Sequence, residues 1–425
     1  MSKHFTESIR NVKEAQTLHC VQEITSQIYW VGGNDRRLER FENMFPLPNG
    51  VAYNSYLIID EKTALLDTVD SAVGALFLEN VIHTLKGRRL DYLVISHMEP
   101  DHSAAIAELV LRYPEVQIIG NPKTLRFVEQ FFDAPLQKNF FTVAEGDQIN
   151  LGRHTLKFYC ASMVHWPEVM FTYEPTEQIL FSADAFGAFG ALSGNLFSDE
   201  TDFETLFLED ARRYYANIVG KYGMQVQAAL QKFENVDIRM ICPLHGPVWR
   251  SNLAYILDKY DLWSKYLPEK NGVVLVYASM YGNTANVVNR LASKLSQKGL
   301  SDLRMYDVSK THPSYIIADA WKYSHLVFAA PTYNMGLYYS MDSLLREMAG
   351  LQLQKRKVAL IANYTWAPSV AIKAMRGLLE GMKNMELIAP PFEINSAMKA
   401  GQEADLDGLA DTVCASVNSA ISASR

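Results

Sequence analysis

Four residues able to bind a metal fall within six positions: His97, Glu99, Asp101 and His102. They belong to the stretch Ser96-His97-Met98-Glu99-Pro100-Asp101-His102-Ser103. Residues 91–95 before it are a short, β-branched apolar run, which predicts a buried strand. Residues 104–111 after it have the composition and apolar spacing of a helix. The cluster therefore occupies a strand-to-helix loop, the place where open α/β folds carry out chemistry. One His or one Asp in such a loop reads as a solvated cap. Imidazoles and carboxylates concentrated in this way read as ligands to a divalent metal.

The spacing His97-x-Glu99-x-Asp101-His102 resembles the HxHxDH signature of the metallo-β-lactamase superfamily, with Glu99 in place of the second His. Three further residues match the later ligands of that group. They are His165 in Met163-Val164-His165-Trp166-Pro167, Asp184 in Phe181-Ser182-Ala183-Asp184, and His245 in Cys242-Pro243-Leu244-His245-Gly246-Pro247. Each follows an apolar run that predicts a strand. A two-metal site needs a bridging carboxylate and several terminal ligands with open positions. The set supplies four imidazoles and three carboxylates, which allows two His and one carboxylate per metal with Asp184 left to bridge. A bridging oxo or hydroxo group would bring the site close to neutrality. Glu99 is a harder oxygen donor than the His it replaces, which favours non-haem iron over zinc. His4, His19, His83, His154, His312 and His325 lack such company and read as surface or structural.

A second chemical stretch lies far downstream. Residues 273–278 form a buried apolar run that leads into Ser279-Met280-Tyr281-Gly282-Asn283-Thr284 and then a predicted helix over 285–295. A hydroxyl-rich turn containing glycine, at a helix N-terminus, is a cradle for phosphate. It has neither the Lys of a Walker A loop nor GxGxxG spacing, so ATP and NAD are not indicated. It resembles the FMN phosphate loop of flavodoxins. Two later loops agree: Pro331-Thr332-Tyr333-Asn334-Met335-Gly336 and Asn363-Tyr364-Thr365-Trp366. Each follows a predicted strand, and Tyr364 or Trp366 can stack on a flavin ring.

The elements that must position these two sets imply two domains, since 425 residues exceed one ordinary core. Over residues 1–266 strands predominate, at 24–33, 52–60, 63–68, 116–120, 148–151, 156–160, 169–173, 179–182 and 238–243. Helices are expected near 72–85, 124–132, 201–222 and 225–232. This predicts two sheets with helices outside, an αββα sandwich. Pro268-Glu269-Lys270-Asn271-Gly272 has linker chemistry. Over 272–425, strands at 273–278, 303–306, 325–330, 357–362 and 386–389 alternate with helices, the last over 403–421. This predicts a doubly wound parallel sheet of the flavodoxin type.

Composition narrows the partners. The net charge is -7 and hydrophobic residues make up 48%, which suits a globular protein and argues against nucleic acid as a partner. The four cysteines form no CxxC pair, so neither a rubredoxin-type iron site nor a zinc ribbon is expected within the chain. Wide cysteine spacing, no apolar run long enough for a membrane span and no leader-like N-terminus together predict a cytoplasmic location.

A lactamase-like metal domain followed by a flavodoxin-like domain resembles the flavodiiron protein family, of the minimal two-domain type, from about residue 24 to the C-terminus. The resemblance implies FMN and two iron ions. It places His97, Glu99 and His165 on the iron nearer the flavin, Asp101, His102 and His245 on the other, and Asp184 between them. No catalytic residue beyond these ligands is implied. Members of the family reduce dioxygen to water, nitric oxide to nitrous oxide, or both, and so protect against these gases. They form head-to-tail homodimers or dimers of dimers, and take electrons from an external donor such as rubredoxin or a flavin or NAD(P)H reductase. Two ferrous ions and reduced FMN hold four electrons, which matches dioxygen to water. Dioxygen is the substrate expected first, with nitric oxide second. Residues such as Tyr53, Asn54, Trp166 and Phe197 are candidates for deciding that preference. Thr365 departs from the Gly that often precedes the flavin-loop Trp in this family. The competing reading is a zinc-dependent hydrolase of the lactamase superfamily carrying a flavodoxin domain.

Overall fold

A computed structural model describes residues 19–423, so the expectations for the amino-terminal segment lie outside the described residues. The chain forms two compact units.

The first unit comprises the chain through Phe207 together with Asn235–Leu253. Its larger sheet runs in the order Gln22–Thr25, Ile28–Trp30, Tyr56–Ile59, Thr63–Leu66, Tyr92–Val94, Gln117–Gly120, Phe140–Thr142. Pairing is antiparallel up to Thr63–Leu66 and parallel beyond it. The second sheet runs Gln148–Asn150, Thr155–Cys160, Met170–Glu174, Ile179–Phe181, Met240–Cys242. Strands such as Thr63–Leu66 and Ile179–Phe181 are buried on both faces, which is why they read as continuous apolar runs. Tyr56 ties the two sheets together: its ring lies 5.3 Å from that of Phe181 and its hydroxyl donates to the Pro243 carbonyl at 2.5 Å. Helices Gly74–Leu85, Ile106–Arg112 and Pro122–Phe131 belong to the same unit. Asn121 caps the last of these by accepting from the Lys123 and Thr124 amides. The layered lactamase-like arrangement is the expected one. The single strand expected over 24–33 is instead two short strands that fold back on each other, with Gln22 paired to Trp30.

The second unit comprises Leu208–Glu234 and the chain from Ala254 onward. Its sheet runs Leu303–Asp307, Lys270–Tyr277, Tyr323–Tyr333, Lys357–Tyr364, Glu386–Leu387, with every neighbouring pair in this order parallel. This 2-1-3-4-5 order is that of flavodoxin. On one face Val273, Leu275, Val327 and Ile361 pack with Val288 and Leu291 of helix Asn283–Gln297 and with Leu406 and Val413 of helix Glu403–Ala423. The strand expected over 386–389 stops at Leu387, and pairing resumes at Phe392–Asn395 beside Ile361–Tyr364. Pro390 and Pro391 lie in the gap and have no N–H to give the ladder.

The two units do not divide at the expected 266/272 boundary. Leu208–Glu234 belongs with the flavodoxin-like unit because its buried side chains find partners there. Arg212 pairs with Glu269, Asn217 donates to the Ser314 carbonyl at 3.2 Å, and the Tyr215 ring lies 5.0 Å from Tyr260 and 5.3 Å from Trp263. Gly220 fits against Trp321, where a Cβ would stand 3.0 Å from the ring.

Candidate metal centre and flavin pocket

The opening loop is shaped by a buried carboxylate. Asp67 accepts from the amides of Ser96 at 2.7 Å and His97 at 3.2 Å, turning the chain as it leaves strand Tyr92–Val94. Pro100 then begins a one-turn helix, Pro100–Ser103, which carries Asp101 and His102. Asp184 follows strand Ile179–Phe181 and His245 follows strand Met240–Cys242, so these ligands gather at carboxyl ends of strands.

The structure brings all seven predicted metal residues together in two groups, His97, Glu99, His165 and Asp184 in one and Asp101, His102 and His245 in the other. All seven are buried. Nε2 of each His faces the carboxylates. In the first group, Asp184 Oδ2 lies 3.0 Å from His165 Nε2 and 3.4 Å from His97 Nε2, and Glu99 Oε2 lies 3.2 Å from both. In the second, Asp184 Oδ1 lies 3.2 Å from His102 Nε2 and 3.7 Å from His245 Nε2, and Asp101 Oδ2 lies 3.3 Å from both. Asp184 thus turns one oxygen to each group, the disposition of a carboxylate between two cations.

The donor set fits metal. Both Asp101 oxygens and Asp184 Oδ1 are buried without a hydrogen-bond donor, which is costly unless a cation satisfies them. Burial alone would disfavour charge at His97 and at Asp184, yet each stabilises the other's charged form. His97 is held well above the usual imidazole range by Asp184, Glu168 and Glu99, and Asp184 well below the usual carboxylate range by His102 and His97. Metal ions would take the place of the protons that hold this cluster together.

The second unit gathers most of the predicted flavin residues. Ser279, Met280, Tyr281, Asn283, Thr284, Pro331, Thr332, Asn363, Tyr364 and Thr365 line one pocket together with Ser396. Gly282 caps helix Asn283–Gln297 with φ +90°, a conformation that suits glycine, and donates its amide to Ser279 Oγ at 3.1 Å. The unpaired N–H groups of that helix's first turn open toward an anion. Asn363 Nδ2 donates to Thr284 Oγ1 at 3.3 Å and to the Ser396 carbonyl at 3.1 Å, clipping three loops together. Tyr333, Asn334, Met335, Gly336 and Trp366 are not among the pocket's lining residues. Tyr333 and Gly336 pair across a tight turn in which Asn334 and Met335 both have positive φ, and Trp366 is 71% exposed.

Known proteins agree with both halves. A family model described as ODP family beta lactamase matches residues 51–246, and the flavodoxin model matches residues 275–407. An uncharacterised protein of Methanocaldococcus jannaschii is 34% identical over 81% of this chain and 86% of its own length. An anaerobic nitric oxide reductase flavorubredoxin of Vibrio vulnificus is 32% identical over 81% of this chain and 70% of its own length. The chain belongs to the flavodiiron protein family. The rubredoxin oxygen:oxidoreductase structure from Desulfovibrio gigas covers 94% of this chain and 99% of its own with a TM-score of 0.85 and 27% identity. The flavodiiron protein of Giardia intestinalis shares the fold over 95% of this chain, with a TM-score of 0.83 at 23% identity. The flavodiiron family is one of oxidoreductases, and the expectation of FMN and two iron ions stands with that membership.

Around the flavodiiron ligands lie residues that sequence reasoning passed over. Glu168, fully buried, accepts from His97 Nδ1 at 2.8 Å and from the Met98 amide at 2.9 Å. Its signal was its place in His165-Trp166-Pro167-Glu168, three residues after a ligand. Glu42, on an exposed turn with φ +49°, brings its carboxyl beside that of Glu99. Desolvation of its carboxyl end and the neighbouring Glu99 carboxylate push its pKa up to about 8. Nothing in the local sequence announces this role. Of the residues named as neighbours, Asn54 donates to the Pro243 and Gly246 carbonyls, both at 2.9 Å, and so holds the turn that carries His245. The Tyr53 and Phe41 rings lie 5.7 and 5.4 Å from that of His245, and Trp166 lies 5.2 Å from His97. Phe197 instead packs beneath the Arg250 guanidinium at 3.7 Å.

The flavin cradle yields a direct prediction. Ser279→Ala combined with Thr284→Val is expected to weaken FMN binding by at least about tenfold, because hydrogen bonds to a charged phosphate contribute about 1.5–3 kcal/mol each. Titrating flavin-free protein with FMN and following flavin fluorescence measures it. Unchanged affinity would place the phosphate elsewhere.

Proposed function

We propose that this protein is an FMN- and di-iron-dependent reductase that takes dioxygen to water and, as a second activity, nitric oxide to nitrous oxide. The observation that carries the reading is Asp184, with one oxygen turned to each of two buried ligand groups. His97, Glu99 and His165 would hold one iron, Asp101, His102 and His245 the other, and the pocket around Ser279 and Thr284 the FMN phosphate. When bound, the iron pair and reduced flavin supply four electrons, the number that dioxygen needs with four protons to give two waters. Two molecules of nitric oxide need two electrons and two protons to give nitrous oxide and water.

The chain's own residues set the conditions for that chemistry. Buried imidazoles and carboxylates fix the geometry before substrate arrives. Rings of Phe41, Tyr53 and Trp166 crowd the ligands and limit water beside them.

Relatives named anaerobic nitric oxide reductase flavorubredoxin and a neighbour named rubredoxin oxygen:oxidoreductase support both substrates. The reading includes an external electron donor such as rubredoxin or a flavin or NAD(P)H reductase. It also includes a head-to-tail homodimer that sets the FMN of one copy beside the metals of the other, and a cytoplasmic location. No helix among the described residues is long and apolar enough to cross a membrane. The deciding experiment is anaerobic reduction of natively produced protein, followed by exposure to dioxygen or to nitric oxide in separate runs. Rapid reoxidation without peroxide release is expected with dioxygen, and nitrous oxide with nitric oxide. Two zinc ions, no iron and hydrolase activity would overturn the reading.

A further inference from the structure

We propose that Glu168 is a positioning residue that makes the two metal positions unequal, so that the one formed by His97, Glu99 and His165 is the harder to reduce. The inference rests on the di-iron reading above and goes beyond it by assigning an order to the two positions.

The four imidazoles offer Nε2 to the site, so a neutral ring bound to metal carries its proton on Nδ1. What receives that proton differs from ring to ring. His97 Nδ1 lies 2.8 Å from Glu168 Oε1. His245 Nδ1 donates to the Ala52 carbonyl, also at 2.8 Å. His102 Nδ1 is buried and has no hydrogen-bond partner among the described residues. Of these three rings, one is thus backed by a carboxylate, one by a neutral dipole and one by no group among the described residues.

Glu168 is aimed at His97. Its Oε1 takes the His97 proton and the Met98 amide, while its Oε2 is buried without a partner. Its ion-pair contact is His97 itself. A carboxylate behind a ligating imidazole raises the ring's basicity, and a water-free surrounding strengthens the effect. Each group has one carboxylate of its own, Glu99 or Asp101, and a share of Asp184. Glu168 therefore adds a carboxylate bonded directly to a ligand ring on one side only, whereas buried Asp67 acts on His102 through space and spends its Oδ1 on the Ser96 and His97 amides. With iron bound, the Glu168 charge would favour the ferric over the ferrous state at the position His97 holds. The position that Asp101, His102 and His245 would hold would then be the easier of the two to reduce.

Holoprotein and its Glu168→Gln and Glu168→Asp variants are to be assayed for iron and titrated anaerobically against potential, with the metal couples followed by electron paramagnetic resonance. Gln keeps an acceptor for His97 Nδ1 and nearly the same volume, so a purely structural role would leave the potentials in place. The native protein is expected to show two iron ions per chain and two separate one-electron steps. In Glu168→Gln the lower-potential step is expected to rise so that, at its native midpoint, the reduced-to-oxidised ratio is at least about tenfold higher, or 59 mV for one electron. The upper step is expected to move less. Glu168→Asp, whose carboxylate is drawn back by one methylene, is expected to shift the lower step in the same direction by a smaller ratio, and it decides the matter if the Gln variant takes up no iron. Unchanged potentials, or equal shifts in both steps, would overturn the inference. A native protein without a pair of iron ions would instead overturn the functional reading beneath it.

Discussion

Asp184→Ala is expected to abolish the reduction of both gases while leaving the flavin absorption spectrum intact. The reason is the position of this one side chain. Its Oδ2 serves the group containing His97 and His165, and its Oδ1 serves the group containing His102 and His245. No other residue among the seven is shared in this way. Loss of residues that merely support a metal ligand costs about 10–100-fold in metal affinity or activity. Loss of a ligand common to both metals is expected to exceed that range, with iron content falling below two per chain. Iron analysis, flavin absorption and gas consumption on the same sample provide the check. Retained turnover with full iron would show that another group bridges. Asp184→Glu supplies the control, since it keeps the charge and alters only the reach.

Glu269→Ala is expected to cost the flavodoxin-like unit about 3–5 kcal/mol, the usual effect of breaking a buried ion pair by removing one partner. The Glu269 side chain is 5% exposed and Arg212 is fully buried. Glu269 accepts from Arg212, from Lys259 at 2.6 Å and from Trp263 Nε1 at 2.8 Å. Burial alone would raise the carboxyl, but Arg212 and Lys259 win and bring it from 4.5 down to about 2. A depressed carboxylate stabilises the fold above its unfolded pKa and loses that contribution as pH falls through its folded pKa. The native protein is therefore expected to lose stability between about pH 4.5 and pH 2 through this group, and the Ala variant to lack that portion of its acid dependence. Urea unfolding read by hydrogen exchange at the amides of strand Lys357–Tyr364 reports on this unit. Pairing Glu269→Leu with Arg212→Met is expected to recover part of the loss, because the fully buried guanidinium is no longer left without its partner, while the half-buried Lys259 can still turn toward solvent. Equal instability of the single and double variants would argue against the ion pair as the cause.

Much of this protein was legible without coordinates, for a physical reason. The ligand loop is a local pattern, and strands Tyr92–Val94, Ile179–Phe181 and Met240–Cys242 are short apolar runs that announce themselves by composition. The phosphate cradle is local too: a strand, a turn with Gly282 at positive φ, and a helix start. Features that failed to show depend on partners distant in sequence. The fifth strand of the second unit's sheet breaks at Pro390 and Pro391 and resumes, which a four-residue apolar window does not display. Glu42 reads as an ordinary turn residue until Glu99 is placed beside it.

The amino-acid sequence by itself determined the two fold types, the candidate ligands and the flavin loops, because strand and helix periodicity and turn chemistry act over a few residues. The division of the seven ligand candidates into two groups was already implied by the family resemblance, and the tertiary structure added the geometry, with one Asp184 oxygen turned to each group. It also decided that Glu168 stands behind His97 and that Leu208–Glu234 joins the second unit. These are outcomes of packing: a buried carboxylate or guanidinium goes wherever the fold offers a partner, and that partner is 57 residues away for Arg212 and 71 for His97.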